Sequence, residues 1–173
     1  MKYRLRTATQ ADADHLAALH AQSWKDSYRN MCPDAYLDEK VDADRQRVWR
    51  ERMLNPAEGQ LVLIADGDGD VMVGFICMYL DHDSHKGNYI DNLHVKTDEQ
   101  GCGLGRRLMS AAARHAREQA VSTRLYLHVL EANAPAIRFY ERLGGQLLSK
   151  NIEDLPWGEK GVVHDYGWDV DQL

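Results

Sequence analysis

The stretch Val95-Lys-Thr-Asp-Glu-Gln-Gly-Cys-Gly-Leu-Gly-Arg106 decides how the rest of the chain is read. Ahead of it, residues 88–96 (NYIDNLHVK) have the character of a strand. Behind it, residues 104–119 (LGRRLMSAAARHAREQ) place Leu104, Leu108, Ala112, His115 and Ala116 on one helical stripe. Gly101, Gly103 and Gly105 let the backbone turn tightly and approach a ligand closely. A helix starting at such a turn offers unpaired N–H groups and the positive end of its dipole, and Arg106 and Arg107 add charge beside it. A diphosphate fits this chemistry.

Two familiar nucleotide loops do not fit. In G-x-G-x-x-G the sixth position is Arg106 counted from Gly101, and Leu108 counted from Gly103. In G-x-x-x-x-G-K-[ST], Arg106 stands where glycine is required and no Gly-Lys pair follows. The pattern that fits is V-x-x-x-x-Q-x-x-G-x-G, at Val95, Gln100, Gly103 and Gly105.

Outward from this loop, residues 2–8 read as an opening strand. Thr9 and Asp12 form a T-x-x-D capping-box variant ahead of a helix to about Tyr28. Pro33 breaks the chain, and one helical stretch is expected over 34–54. Leu61–Ala65 and Val71–Leu80 flank Asp66-Gly-Asp-Gly-Asp70, which reads as a hairpin. The acidic turn is no calcium loop, because its twelfth position is Cys77 rather than Glu. Residues 124–130 alternate as a strand. Asn133 then caps a helix with Pro135 in its first turn, Gly144-Gly145 ends it, and strands at about 146–151 and 161–169 complete the chain. The order is β-α-α-β-β-β-α-β-α-β-β, an α+β arrangement expected as one domain over 1–173.

Residues 133–145, NAPAIRFYERLGG, supply a second pattern, N-x-x-A-x-x-x-Y-x-x-x-G, at Asn133, Ala136, Tyr140 and Gly144. The two patterns, in this order and spacing, resemble those of the GNAT superfamily of coenzyme A-dependent N-acetyltransferases. The likeness covers residues 60–150 well and the ends more loosely; Gly145 stands where that family usually has an aromatic residue. The resemblance implies a mixed, mainly antiparallel central sheet flanked by helices. It implies acetyl-CoA as co-substrate, with no metal. Backbone amides of Gly101, Cys102, Gly103, Leu104, Gly105 and Arg106 would hold the pyrophosphate and Gln100 would shape the loop. Leu93 and Val95 would offer main-chain groups to the pantetheine arm, with an N–H near Leu93 or His94 polarising the thioester. Asn133 and Ala136 would complete the cofactor site. Tyr140 would be the general acid for the departing thiolate. Asp91 and His94 are alternative bases for the acceptor ammonium, with Tyr89 a weaker one.

Composition narrows the acceptor only slightly. A net charge of −6 argues against non-specific nucleic-acid binding and mildly favours a cationic small molecule. A protein or peptide amine remains a further class of acceptor, and a homodimer is a further expectation. No run is long and apolar enough for a membrane span, and residues 1–10 lack a signal-peptide core, so a cytoplasmic location is expected. Cys32, Cys77 and Cys102 form no disulfide framework. His82 and His85 read as an exposed loop rather than a metal site. Trp24 reads as core, while Tyr28 is open between core and acceptor pocket. An acyl-CoA sensor without turnover is the alternative from another class; the glycine spacing disfavours a dinucleotide oxidoreductase.

Overall fold

The computed structural model describes residues 2–173. Strand β1 (Arg4–Thr7) leads to helix α1 (Ala13–Ser27), then α2 (Asp34–Glu39) and α3 (Val41–Leu54). Strands β2 (Gln60–Asp66), β3 (Met72–Asp83) and β4 (Gly87–Val95) follow. Helix α4 (Leu104–Gln119), β5 (Arg124–Leu130), α5 (Ala134–Arg142), β6 (Gln146–Asp154) and β7 (Lys160–Asp169) complete the order. The strands form one seven-stranded sheet in the order β1-β2-β3-β4-β5-β7-β6. β4 and β5 run parallel and every other neighbouring pair is antiparallel.

The α1 start follows its sequence signal. Asp12 accepts the Thr9 N–H at 2.8 Å and both terminal nitrogens of Arg6 at 2.8 Å, tying the helix entry to β1. The single helix expected over 34–54 is instead two, because the chain leaves helical geometry at Lys40 (φ −120°). The break lets Tyr36, Leu37 and Val41 pack with Trp24, while Trp49 joins Leu16, Ile64 and Phe75 against the sheet. The acidic hairpin turn forms as read, with Gly69 and Asp70 in the left-handed region that glycine and aspartate tolerate best.

Two layers cover the sheet. On one face α4 packs Leu104, Leu108, Met109 and Ala112 onto Ile76, Met78, Ile90, Leu125 and Leu127. On the other, α1 and α3 pack onto Val62, Ile64, Phe75 and Cys77. Fully burying a side chain such as Phe75 or Leu108 contributes about 1.5–3 kcal/mol. His115 of the sequence-derived stripe is only half-buried, and Ala113 takes its place among the buried residues.

The middle of the sheet is divided. β4 pairs with β5 only at Asn88–Leu125, Tyr89–Tyr126 and Ile90–Leu127, and beyond these the strands part. On its other edge β4 bulges: Met78 pairs with Ile90 and Cys77 with Asn92, leaving Asp91 as the extra residue.

Candidate active site

The parting strands leave β4 main-chain groups facing a gap. The Val95 carbonyl turns away from β3 and accepts from Gln100 Nε2 at 3.1 Å, while Lys96 N–H returns to Val73 on β3. By alternation Leu93 faces the gap as Val95 does, and Asn92 and His94, opposite Cys77 and Phe75, face β3. Gln100 thus braces the loop against the strand end, and the loop opens beside the gap.

In that loop Gly101 (φ 75°) and Gly103 (φ 86°) are left-handed, with open space where a Cβ would stand. A residue other than glycine costs about 1–2 kcal/mol in this conformation. The first intrahelical bond of α4 runs from Arg107 N–H to the Gly103 carbonyl, so the N–H groups of Leu104, Gly105 and Arg106 precede the ladder. Leu104 contributes only main chain here, since its side chain is buried in the core. Gly105 has a different reason to be glycine: a Cβ there would stand 3.0 Å from the Phe139 ring of α5. Arg106 is exposed beside the turn. The Cys102 sulfur is held by the Glu99 carbonyl at 2.8 Å and the Tyr3 hydroxyl at 3.0 Å, and the Tyr3 contact pulls its thiol below the ordinary value.

Across the gap Asn133 caps α5, accepting the Ala136 N–H at 3.3 Å; such caps contribute about 1 kcal/mol. The Ala136 N–H is therefore engaged within α5, and its side chain packs against the core. Tyr28 lies near enough to both Asn133 and Tyr140 for their polar groups to interact. This link joins the end of α1 to the start of α5 across the gap. Burial, with Tyr28 adding to it, pushes the Tyr140 phenol up from 10, so it holds its proton at neutral pH. Its ring stands edge-on to Trp168 at 5.8 Å.

The two candidate bases fare differently from their sequence reading. The bulge turns Asp91 to the α3 side, where Arg52 ion-pairs with it at 2.5 Å. Arg52 also donates to Asn92 at 2.9 Å. His94 lies between His20, 4.4 Å away, and Phe75, and shares a 2.8 Å hydrogen bond with Ser23. Burial, helped by Arg45, pushes its imidazolium down to about 3, so its ring has little affinity for a proton at neutral pH.

The same side of the sheet adds Tyr126 and His128, which the sequence did not single out, to Tyr89 and His82, which it did. Tyr89 stacks on Tyr126 at 5.0 Å, and His128 lies 5.1 Å from Tyr89. His82 is on β3 rather than in a loop, 2.6 Å from the Tyr126 hydroxyl, while His85 lies in the following turn. Donor atoms of His128, Glu153 and Asp165 lie within 4.8 Å of one another, the one such group among the described residues. Lys86 ion-pairs with Asp165 at 2.6 Å. Trp157, in the β6–β7 turn, reaches back to Trp24 (6.2 Å) and Tyr36 (6.3 Å), so Trp24 is core as read and the turn walls this face.

A sheet that opens between two parallel strands, with a glycine turn and a helix start at the opening, defines an α+β domain built around a split central sheet. The sequence profile described as "Acetyltransferase (GNAT) family" matches residues 21–145, and the chain belongs to that family. The chain is similar to the probable spermine N(1)-acetyltransferase of Bacillus subtilis subsp. natto (strain BEST195), 36% identical over 90 residues. That match covers 51% of this chain and 55% of the relative, so the chain spans about half the length of this curated relative. Among solved structures, a GCN5-related N-acetyltransferase from Rhodopseudomonas palustris superposes with TM-score 0.76 at 23% identity, covering 98% of this chain and 96% of that one. The PaiA N-acetyltransferase from Thermoplasma acidophilum, solved in complex with coenzyme A, gives 0.72 at 17% identity, covering 97% and 100%. The solved structures support the fold. Among the described residues no helix is long and apolar enough to cross a membrane.

Proposed function

We propose that the chain transfers an acetyl group from acetyl-CoA to a primary amine by direct attack in a ternary complex. The observation that carries this reading is the gap between β4 and β5, with the residue 100–106 turn at its mouth and Tyr140 beside it. Amides of Gly101–Arg106 grip the pyrophosphate, and the exposed Arg106 adds charge. The gap-facing groups of Leu93 and Val95 take the pantetheine as an added strand. The Leu93 N–H polarises the thioester carbonyl, because His94 N–H is directed to β3. Asn133 holds the Tyr28 wall and the start of α5. Tyr140 gives its proton to the departing thiolate, a task suited to a phenol held protonated.

The acceptor in this reading is a cationic small amine. Net charge −6, the half-buried Asp91 and Glu153 on the open face, and the curated relative named for spermine support it. A cytoplasmic location and a homodimer belong to the same proposal. The exposed Leu147, Leu148 and Ile152 on edge strand β6 support the dimer, and analytical ultracentrifugation of the full chain tests it. Thiol release from acetyl-CoA against a panel of polyamines, aminoglycosides, amino acids and peptides tests the activity. Saturable release with a polyamine is the expected result. Coenzyme A binding without release for any amine would favour the sensor reading.

A further inference from the structure

His128 is the first residue of β5 past the last pair with β4. Leu125, Leu127 and Val129 turn to the α4 side and are buried there, so Tyr126 and His128 face the other way. On the far edge of β5, β7 sets Asp165 opposite His128. Asp165 Oδ1 lies 2.5 Å from His128 Nδ1, and its Oδ2 accepts from Lys86 Nζ at 2.6 Å and Ser149 Oγ at 2.8 Å. The carboxylate is completely buried, whereas 29% of the imidazole side chain is exposed. An ionised carboxylate only accepts, so Nδ1 carries the proton and Nε2 keeps its lone pair. Burial alone would raise the Asp165 carboxyl, but bonds from Lys86, Ser149 and His128 outweigh it and hold the group below the usual carboxylate range. A buried carboxylate on one ring nitrogen fixes the tautomer and stabilises the imidazolium that forms when the other nitrogen takes a proton.

We propose that His128 is the general base of the acetyl transfer and that Asp165 is its positioning residue. The assignment rests on the acetyltransferase reading above. It places the base on one face of the divided sheet and Tyr140 on α5, packed against the opposite layer. Nε2 of His128 takes one proton from the acceptor ammonium, and the freed amine lone pair forms the C–N bond at the thioester carbonyl. The C–S bond breaks with its electron pair going to sulfur, which takes the Tyr140 proton. The second N–H proton of the new amide returns to the Tyr140 oxygen, and His128 releases its own to solvent.

The groups that face the imidazole are Asp165 on β7, Lys86 ahead of β4, Tyr89 on β4, Tyr126 on β5 and Glu153 on β6. Burial pushes the Tyr89 and Tyr126 phenols up, so neither carries charge near neutrality.

The test measures thiol release with a cationic amine across pH for the wild type, His128→Gln and Asp165→Asn, with coenzyme A affinity of each by calorimetry. His128→Gln should lower kcat/KM by about 10²-fold or more and abolish the acid limb, at unchanged coenzyme A affinity. Asp165→Asn should move that limb to lower pH. A His128→Gln enzyme with the wild-type rate and limb overturns the assignment while leaving the acetyltransferase reading intact. No release by the wild type with any amine overturns that reading and the role built on it. Nitrogen NMR of the imidazoles provides a readout without turnover: Nδ1–H is expected for His128, and an Nε2–H tautomer overturns the dyad.

Discussion

The two sides of the divided sheet use different materials. On the loop side the working groups are main chain: the left-handed Gly101 and Gly103, the start of α4, and the gap-facing edge of β4. On the open face they are side chains drawn from separate strands, with Asp91 and Tyr89 on β4, His128 on β5, Glu153 on β6 and Asp165 on β7. The first kind of site is local and needs only a backbone shape. The second depends on which strands lie side by side. In the proposed reading, the first side holds a carrier common to many reactions and the second selects the amine.

Four experiments sharpen or break this division, beginning with the largest expected effect. Gly103→Val should abolish saturable coenzyme A binding in calorimetry, because it disfavours the φ of 86° and fills the open space of the turn. Binding close to wild type would show that the main-chain side is not where the carrier sits. Tyr140→Phe should lower kcat by about 10²-fold while coenzyme A affinity changes little. Equal losses in both would make Tyr140 a packing residue. Asp91→Asn should reduce kcat/KM by less than about tenfold, well short of a general base, and keep the acid limb of the pH profile, since its carboxylate is paired to Arg52. Disappearance of that limb would return the base to β4.

The smallest effect concerns stability. His94 titrates near 3 when folded and near 6.5 as a free side chain, so the unfolded chain binds more protons between those values. Its contribution is fully present above 6.5 and is lost as pH falls toward 3; buried His20 shifts in the same direction. The melting temperature should therefore fall with pH below 6.5, and His94→Leu should flatten part of the slope. A parallel slope in the mutant would contradict the burial of this ring.

Most of the strand and helix order was legible, because it rests on periodicity and local signals. Thr9 with Asp12, the Asp66–Asp70 turn and the Asn133 cap all stand where read. The helix break at Lys40 was not, since no proline or glycine marks it and tertiary packing of Tyr36 against Trp24 imposes it. The turn at 100–106 was legible for the same local reason, although Gly105 turned out to serve contact with Phe139. On the open face Asp91 and Tyr89 were legible but His128 and Asp165 were not. Alternation in RLYLHVL already sets Tyr126 and His128 on one side, yet nothing in the sequence says that Asp165, 37 residues on, lies opposite His128. The surroundings of His94, with Phe75, His20 and Arg45 around it, come from tertiary packing and are not legible in the sequence.

The extra residue in β4 has a consequence that substitution experiments cannot reach. Because Asp91 has no partner on β3, everything after it is one step out of phase with everything before it. Removing the residue altogether, as opposed to changing its side chain, would restore an unbroken ladder with β3. It would also swing Tyr89 and its predecessors, or else Asn92 and its successors, through half a turn, burying polar groups among the leucines under α4. Length, rather than chemistry, is the property this position cannot give up.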